Sequence, residues 1–112
     1  MEFVEQTLLI YIRPDGHRPF REWRDSLTDV KTQAVVAERL DRIQRGLFGD
    51  CRTVGKGIME LRIDYGPGYR VYLGRDGNAV IILLSGGDKG SQKKDIRLAH
   101  DYWADYRRRK NR

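Results

Sequence analysis

The sequence is poor in the residues that form disulfides and metal sites. Among 112 residues there are one cysteine, Cys51, and two histidines, His17 and His100. A lone cysteine cannot form a disulfide within the chain, which favours a reducing compartment such as the cytoplasm over secretion. The histidines stand far apart and lack cysteine partners at zinc-ligand spacing. The sequence therefore predicts neither a metal site nor a cofactor.

Long hydrophobic runs are also absent. The longest apolar run, residues 79–84, is far shorter than the roughly 20 residues of a membrane span. The first residues, Met1 to Glu5, are acidic and lack the basic-then-apolar order of a signal peptide. No repeat or linker interrupts the chain, and its length suits one domain. We therefore expect a single domain over residues 1–112, located in the cytoplasm.

Acidic residues are scarce in the second half of the chain. The sequence holds 22 Lys+Arg against 16 Asp+Glu, for a net charge of +6. Counted by halves, residues 1–50 carry eight basic and nine acidic side chains, and residues 51–112 carry fourteen and seven. All of the positive excess thus lies after residue 50. It predicts either a surface that binds a polyanion or a charged surface that only keeps the protein in solution.

Hydrophobic periodicity predicts an α+β domain of order β-α-α-β-β-β-α. An apolar, β-rich segment at 7–12 predicts the first strand, and Pro19 suits the first turn of a helix. Thr28 or Asp29 can cap a second helix. Alternation and short turns predict an antiparallel meander of three strands over residues 58–85.

A last helix is predicted to follow the meander. Ser91 can cap this helix, and Ile96, Ala99, Trp103 and Tyr106 share its apolar face. We expect the helices to cover the apolar face of a small antiparallel sheet.

Polar side chains gather on the opposite face of this predicted meander, which we expect to be open to a ligand. Glu60 and Arg62 point the same way, as do Arg70 and Tyr72 on the next strand, while Lys89 follows the last strand. Cations around one face suit a phosphodiester, and Glu60 is the candidate general base for RNA cleavage, a reaction that needs no metal. The structural alternative is a cross-strand ion-pair network with packed tyrosines.

The last helix adds further basic residues. Residues 107–112 carry five positive charges, which can contact a nucleic-acid backbone or simply form a solvated end. The side chains expected to contact RNA are Tyr72, Lys93, Lys94, Arg107 and Arg108. His100, on the same helix, is interpreted as a structural residue, with the open face as its alternative location.

Four segments of the sequence resemble a known family. They are PFREW at 19–23, GDC at 49–51, ELRIDYGPGYRVY at 60–72 and GGDK at 86–89. Together they resemble the addiction-module killer proteins, HigB-like toxins within the RelE/ParE superfamily of type II toxin–antitoxin systems. The resemblance implies a RelE-like fold, a small antiparallel sheet packed against two N-terminal helices and a C-terminal helix.

The resemblance also implies an activity, the ribosome-dependent cleavage of translated mRNA. Arg70 matches the arginine that stabilises the phosphate, and Lys89 matches a basic residue near the leaving group. Arg62 lies in the strand that carries basic catalytic residues. Glu60 stands near the position where RelE has a lysine, and Gln92 and Lys93 occupy the region of RelE's tyrosine. HigB-like relatives use other side chains, including histidine, which keeps His100 as a candidate.

Partners follow from the same resemblance. They are a cognate antitoxin, expected to be a helix-turn-helix protein, the ribosome and mRNA, with operator DNA bound only through the antitoxin and no membrane. Two alternatives stay open: a ParE-like toxin without nuclease activity that binds DNA gyrase, and an inactive basic RNA-binding relative.

Overall fold

The computed structural model describes residues 3–111 of the chain, so Met1, Glu2 and Arg112 lie outside the described residues. The protein is an α+β domain with a five-stranded sheet and three helices. Its elements are β1 (Thr7–Ile10), α1 (Pro19–Ser26), α2 (Val30–Gln44), β2 (Cys51–Thr53), β3 (Ile58–Ile63), β4 (Tyr69–Asp76), β5 (Val80–Asp88), a 3-10 turn (Lys89–Ser91) and α3 (Gln92–Lys110).

The predicted helix starts are confirmed. Pro19 is the first residue of α1, where its missing N–H costs nothing. The Asp29 side chain caps α2 by accepting a hydrogen bond from the backbone N–H of Thr32. The apolar face of α2, which includes Val36, Leu40 and Ile43, is buried against the sheet.

The sheet has the strand order β1-β5-β4-β3-β2. The predicted meander is confirmed, because β3, β4 and β5 pair in antiparallel sequence. The expectation of a wholly antiparallel sheet is wrong, since β1 pairs with β5 in parallel. The connection from β1 to β5 contains α1 and α2 and then the other three strands of the sheet, so the two parallel partners are far apart in the chain. Sequence periodicity also missed β2, whose three residues are too few to show alternation.

Helices cover both faces of the sheet. On one face α1 and α2 pack over a core that includes Leu61, Val71 and Ile81. On the other face α3 packs over Tyr72, Ile82 and other residues of a second core. The expectation of an open polar face is therefore wrong, because α3 covers the strands at Glu60 and Tyr72.

Two glycines in the strands make this close packing possible. A Cβ at Gly74 would overlap the ring of Trp103 of α3, and a Cβ at Gly86 would overlap the ring of Trp23 of α1. The indoles of Trp23 and Trp103 therefore pack directly on the strand backbone, one on each face of the sheet. No helix between residues 3 and 111 is both long enough and apolar enough to cross a membrane.

Candidate functional site

The register of the β3–β4 hairpin brings the predicted site residues together. Arg62 is the cross-strand partner of Arg70, and Glu60 is the partner of Tyr72. All four side chains lie on the face of the sheet towards α3, because they occupy alternate positions on each strand. The turn between the strands contains Gly66-Pro67-Gly68.

Three of the predicted cations line one cavity of about 520 Å³, which we call the hairpin cleft. They are Arg62, Arg70 and Lys89. The turn at Gly68 lies against two of them, since a Cβ there would sit 3.5 Å from Arg70 Nη1 and 3.5 Å from Lys89 Cβ. The remaining lining residues are Asp50, Asp64, Gly66, Pro67 and Gly68. The cleft therefore combines three cations with two carboxylates, Asp50 and Asp64.

Arg70 is the most enclosed cation of the hairpin cleft, with only 6% of its surface exposed. Its Nη1 donates a hydrogen bond to the backbone oxygen of Tyr69 at 3.2 Å. Within residues 3–111, its buried Nε has no hydrogen-bond partner and lies 3.9 Å from Glu60 Oε1. A buried donor without a hydrogen-bond partner costs free energy, so a guanidinium of this kind favours the binding of an anion.

Glu60 lies behind Arg70 and is completely buried. Its Oε1 accepts a hydrogen bond from Arg52 Nε at 2.9 Å. Its Oε2 accepts from Gln92 Nε2 at 2.9 Å and from the Tyr72 hydroxyl at 3.2 Å. Three donors therefore bond to the Glu60 carboxylate, and the guanidinium of Arg70 lies beside it.

The pKa of Glu60 follows from these contacts. Burial alone would raise the pKa of this carboxyl. The hydrogen bonds from Arg52, Gln92 and Tyr72, with the charge of Arg52, outweigh burial and hold the pKa below its usual range. Glu60 is thus an ionised, enclosed carboxylate. This geometry fits a counter-charge that orients Arg52 and Arg70 better than it fits the expected general base.

The side chain of Tyr72 is not exposed, although the sequence analysis expected it to contact RNA. Its ring is fully buried beneath α3. Burial, together with the adjacent charge of Glu60, raises the pKa of its hydroxyl well above the usual value. The expectation that Tyr72 contacts RNA is wrong, because no part of its ring is accessible to a base.

The turn that carries Lys89 is held by its own side chains. Asp88 caps it by accepting hydrogen bonds from the backbone N–H groups of Gly90 and Ser91. The sequence suggested that Ser91 caps α3, but its side chain makes no capping hydrogen bond; its hydroxyl donates a hydrogen bond to Asp95 instead. Lys89 is left exposed at the rim of the hairpin cleft.

The other residues expected to contact RNA lie at the two ends of α3. Lys93 and Lys94 are exposed in its first turn, next to Lys89. Arg107 and Arg108 are exposed in its last turn, where the chain is still helical, and Arg108 lies 3.6 Å from Asp105. Arg107 and Arg108 therefore lie at the end of α3 that is distant from the hairpin cleft.

His100 has a structural contact. Its Nε2 lies 2.7 Å from the backbone oxygen of Val54, which links α3 to the segment between β2 and β3. The sequence interpretation of His100 as a structural residue agrees with this contact. Between residues 3 and 111, no group of three or more His, Cys, Asp or Glu side chains is arranged to hold a metal ion.

Sequence reasoning missed the residues that complete the site from neighbouring elements. Arg52 reaches Glu60 from β2, where it is the cross-strand partner of Glu60, and Gln92 reaches it from the start of α3. Asp50 enters the hairpin cleft just before β2. A correct assignment of β2 is the one signal that could have located Arg52 and Asp50.

A known protein is similar in sequence to most of the chain. An uncharacterised protein of Haemophilus influenzae is 48% identical over 80 residues, which cover 71% of this chain and 81% of that protein. The chain belongs to the same family as this protein. No family model matches the chain, and no solved structure matches it. Membership of this family does not assign an activity to the chain.

Proposed function

We propose that the chain is the toxin of a type II toxin–antitoxin system, of the RelE/ParE superfamily, and a ribosome-dependent endoribonuclease that cleaves translated mRNA. The observation that carries this proposal is the convergence of Arg62, Arg70 and Lys89 on one cleft. The sequence resemblance to HigB-like toxins names the same three residues. A RelE-like topology is part of the proposal, and the helices on either side of the sheet support it.

The reaction that we assign to the hairpin cleft is the transfer of a phosphoryl group within the RNA, from a 5′-oxygen to the neighbouring ribose 2′-oxygen. A base removes the proton of a ribose 2′-hydroxyl, and the 2′-oxygen forms a bond to phosphorus. The bond from phosphorus to the 5′-oxygen breaks, and that oxygen takes up a proton. Arg70 and Arg62 offset the negative charge that develops on the phosphate oxygens, and Lys89 supports the leaving 5′-oxygen.

The proton acceptor in this proposal is a carboxylate of the cleft itself. Asp50 and Asp64 line the hairpin cleft, whereas both oxygens of Glu60 already accept hydrogen bonds. Glu60 acts through Arg70 and is a positioning residue. The ribosome contributes the orientation of the RNA.

The proposed partners are those of a toxin of this class. A helix-turn-helix antitoxin neutralises the protein by covering its cationic cleft, and operator DNA is contacted through that antitoxin. The targets are the ribosome and mRNA in the cytoplasm.

Expression in cells with mapping of mRNA 5′ ends tests the activity. We expect new ends within translated regions and growth arrest. Intact mRNA accompanied by double-strand breaks in DNA contradicts the nuclease and favours a ParE-like toxin that binds gyrase. Growth arrest with neither effect contradicts both.

Arg70 provides the decisive variant. We expect Arg70→Ala to lower the single-turnover cleavage rate on programmed ribosomes by at least about 100-fold, the effect of removing one preorganised charge donor. Arg70→Lys keeps the charge near Glu60 and serves as the variant with the smaller structural change, while Arg21→Ala, an exposed arginine of α1, is the control. Full activity in a folded Arg70→Ala protein would show that the site is wrongly assigned.

A further inference from the structure

The carboxylate of Asp95 lies directly on the backbone of β5, next to the turn that carries Lys89. Asp95 belongs to the first turn of α3. A Cβ at Gly87 of β5 would overlap this carboxylate and would lie 2.9 Å from Ser91 Oγ. Gly87 is also the cross-strand partner of Arg70. Because Gly87 has no side chain, a carboxylate from the helix can reach the strand position beside the most enclosed cation of the hairpin cleft.

Hydrogen bonds connect Asp95 to the turn of Lys89. Asp95 accepts a hydrogen bond from the hydroxyl of Ser91, the last residue of this 3-10 turn. Ser91 Oγ in turn accepts from the backbone N–H of Asp88 at 3.4 Å. The Asp88 carboxylate accepts from the backbone N–H groups of Gly90 and Ser91 at 2.8 and 3.3 Å. Asp95 is therefore the outer member of the network that closes the turn.

Lys89 is confined from the hairpin side as well. A Cβ at Gly68, in the turn between β3 and β4, would sit 3.5 Å from Lys89 Cβ. The base of the lysine thus lies between the hairpin turn and the network of Ser91 and Asp95. Lysine carries its charge on a flexible four-carbon stem, so the location of its ammonium group depends on how well its backbone is fixed.

Stability alone does not explain a carboxylate at this position. An acidic residue in the first turn of a helix is favourable for the helix dipole. Here, however, burial raises the pKa of the Asp95 carboxyl, although the hydrogen bond from Ser91 opposes this effect. The fold therefore disfavours the charged form of Asp95. A carboxyl group that is placed against its preferred charge state is typical of functional sites.

We propose that Asp95 is a positioning residue of the hairpin cleft, which fixes the turn of Lys89 through Ser91 and so directs the lysine at the leaving 5′-oxygen. The role of Lys89 rests on the proposed function, whereas the coupling of Asp95 to the turn does not. Asp95 acts as a hydrogen-bond acceptor and does not contact the RNA. An amide oxygen at the same place should therefore replace it.

Hydrogen exchange of the turn tests the coupling without any reaction. NMR measures the exchange of the backbone N–H groups of residues 90 and 91. We expect Asp95→Ala to accelerate this exchange by about tenfold, because a hydrogen bond to a charged group is lost. Asp95→Asn keeps an acceptor for Ser91 and should stay within about threefold of wild type. Asp101→Ala, at an exposed aspartate of the same helix, is the control and should change nothing.

Single-turnover cleavage on programmed ribosomes tests the effect on the lysine. We expect Asp95→Ala to lower the rate at saturation by at least about tenfold and to leave the half-saturating concentration within about twofold, because a misplaced group slows the reaction without weakening binding. Asp95→Asn should restore most of the rate. Ser91→Ala removes the same hydrogen bond from its other end and should reproduce the loss. Thermal unfolding checks that each variant folds.

A double variant shows whether Asp95 acts through Lys89. In a Lys89→Gln background, Asp95→Ala should have little further effect on the rate, since changes at two coupled residues are not additive. Full additivity overturns the proposal. So does an unchanged rate in folded Asp95→Ala and Ser91→Ala proteins, or a loss in Asp95→Asn as large as that in Asp95→Ala, which would mean that the charge of Asp95 is what the reaction requires.

The two proposals fail separately. Faster exchange in Asp95→Ala, in a protein whose wild type cleaves no mRNA, keeps the coupling of Asp95 to the turn but removes the nuclease and with it the role of Lys89. Cleavage that depends on Arg70, combined with unchanged exchange and an unchanged rate in Asp95→Ala, keeps the nuclease and removes the positioning role of Asp95.

Discussion

Glu60 connects three elements through its carboxylate. Arg52 belongs to β2, Tyr72 to β4 and Gln92 to α3, and each donates a hydrogen bond to it. A buried charge of this kind is tolerated because both oxygens accept hydrogen bonds and two of the neighbouring groups, Arg52 and Arg70, are cations. The residue therefore matters for the position of the cations around it as much as for stability.

Replacement of Glu60 by glutamine removes the charge and keeps the shape. We expect Glu60→Gln to lower the free energy of unfolding by about 3 kcal/mol at about pH 7, because Arg70 is left buried without its anionic neighbour. The depressed pKa of Glu60 fixes the pH dependence. Its contribution is fully present above the pKa of an unfolded glutamate, about 4.3, and is lost as the pH falls through the lower pKa of the folded state.

Urea unfolding at about pH 7 and at about pH 3 measures this difference. The gap between wild type and Glu60→Gln should narrow at the acidic pH. Glu38→Gln, at an exposed helix position 4.0 Å from Arg42, is the control and should cost less than about 1 kcal/mol. A gap that stays constant with pH would contradict the ionised, paired state of Glu60.

The sequence located some residues of the site better than others. Arg62, Arg70 and Lys89 were predictable because a short hairpin forces neighbouring strands into register. The environment of Glu60 and Tyr72 could not be predicted. Polar residues at alternate strand positions give the same sequence pattern whether water or a helix covers that face of the sheet. In this fold they satisfy one another beneath α3, which alternation cannot reveal.

Among the elements, α3 packs directly on the backbone of the sheet. The ring of Trp103 lies directly on the backbone of β4 at Gly74, and its indole N–H is bonded to Lys56 O. The sequence predicted the apolar face of α3 correctly, with Ile96, Ala99, Trp103 and Tyr106 all in the second core. It gave no sign that a glycine in β4 is the surface against which the helix packs.

A methyl group at Gly74 tests this contact. We expect Gly74→Ala to destabilise the protein by about 1–3 kcal/mol, because the ring of Trp103 must move from its packed position. Chemical unfolding of Gly74→Ala, Trp103→Leu and the double variant measures the coupling between the two residues. The double variant should lose less than the sum of the single variants. Strict additivity would mean that the ring does not rest on Gly74.

For the molecule as a whole, the single cysteine reports on unfolding. Cys51 is half-buried at the start of β2, and burial raises the pKa of its thiol to about 11. The thiolate is the reactive form, so at about pH 8 we expect alkylation of the native protein to be about 100-fold slower than that of the urea-unfolded chain.

The dependence of the alkylation rate on urea concentration distinguishes global unfolding from local detachment of β2. If Cys51 reacts only when the whole sheet opens, the alkylation rate should rise steeply with urea, parallel to global unfolding. Reaction at a similar rate in native and unfolded protein would instead show that β2, a three-residue edge strand, detaches by itself.

The pairing of β1 with β5 imposes an order on folding. Among the described strands β1 comes first in the chain and its partner β5 comes last, so the hydrogen bonds between them cannot form until β5 has been synthesised. The hairpin of β3 and β4 precedes β5 and Lys89 in the chain, so the cationic cleft is completed late in synthesis. A chain that is truncated before β5 therefore keeps the hairpin of β3 and β4 but lacks both the partner strand of β1 and the lysine of the hairpin cleft.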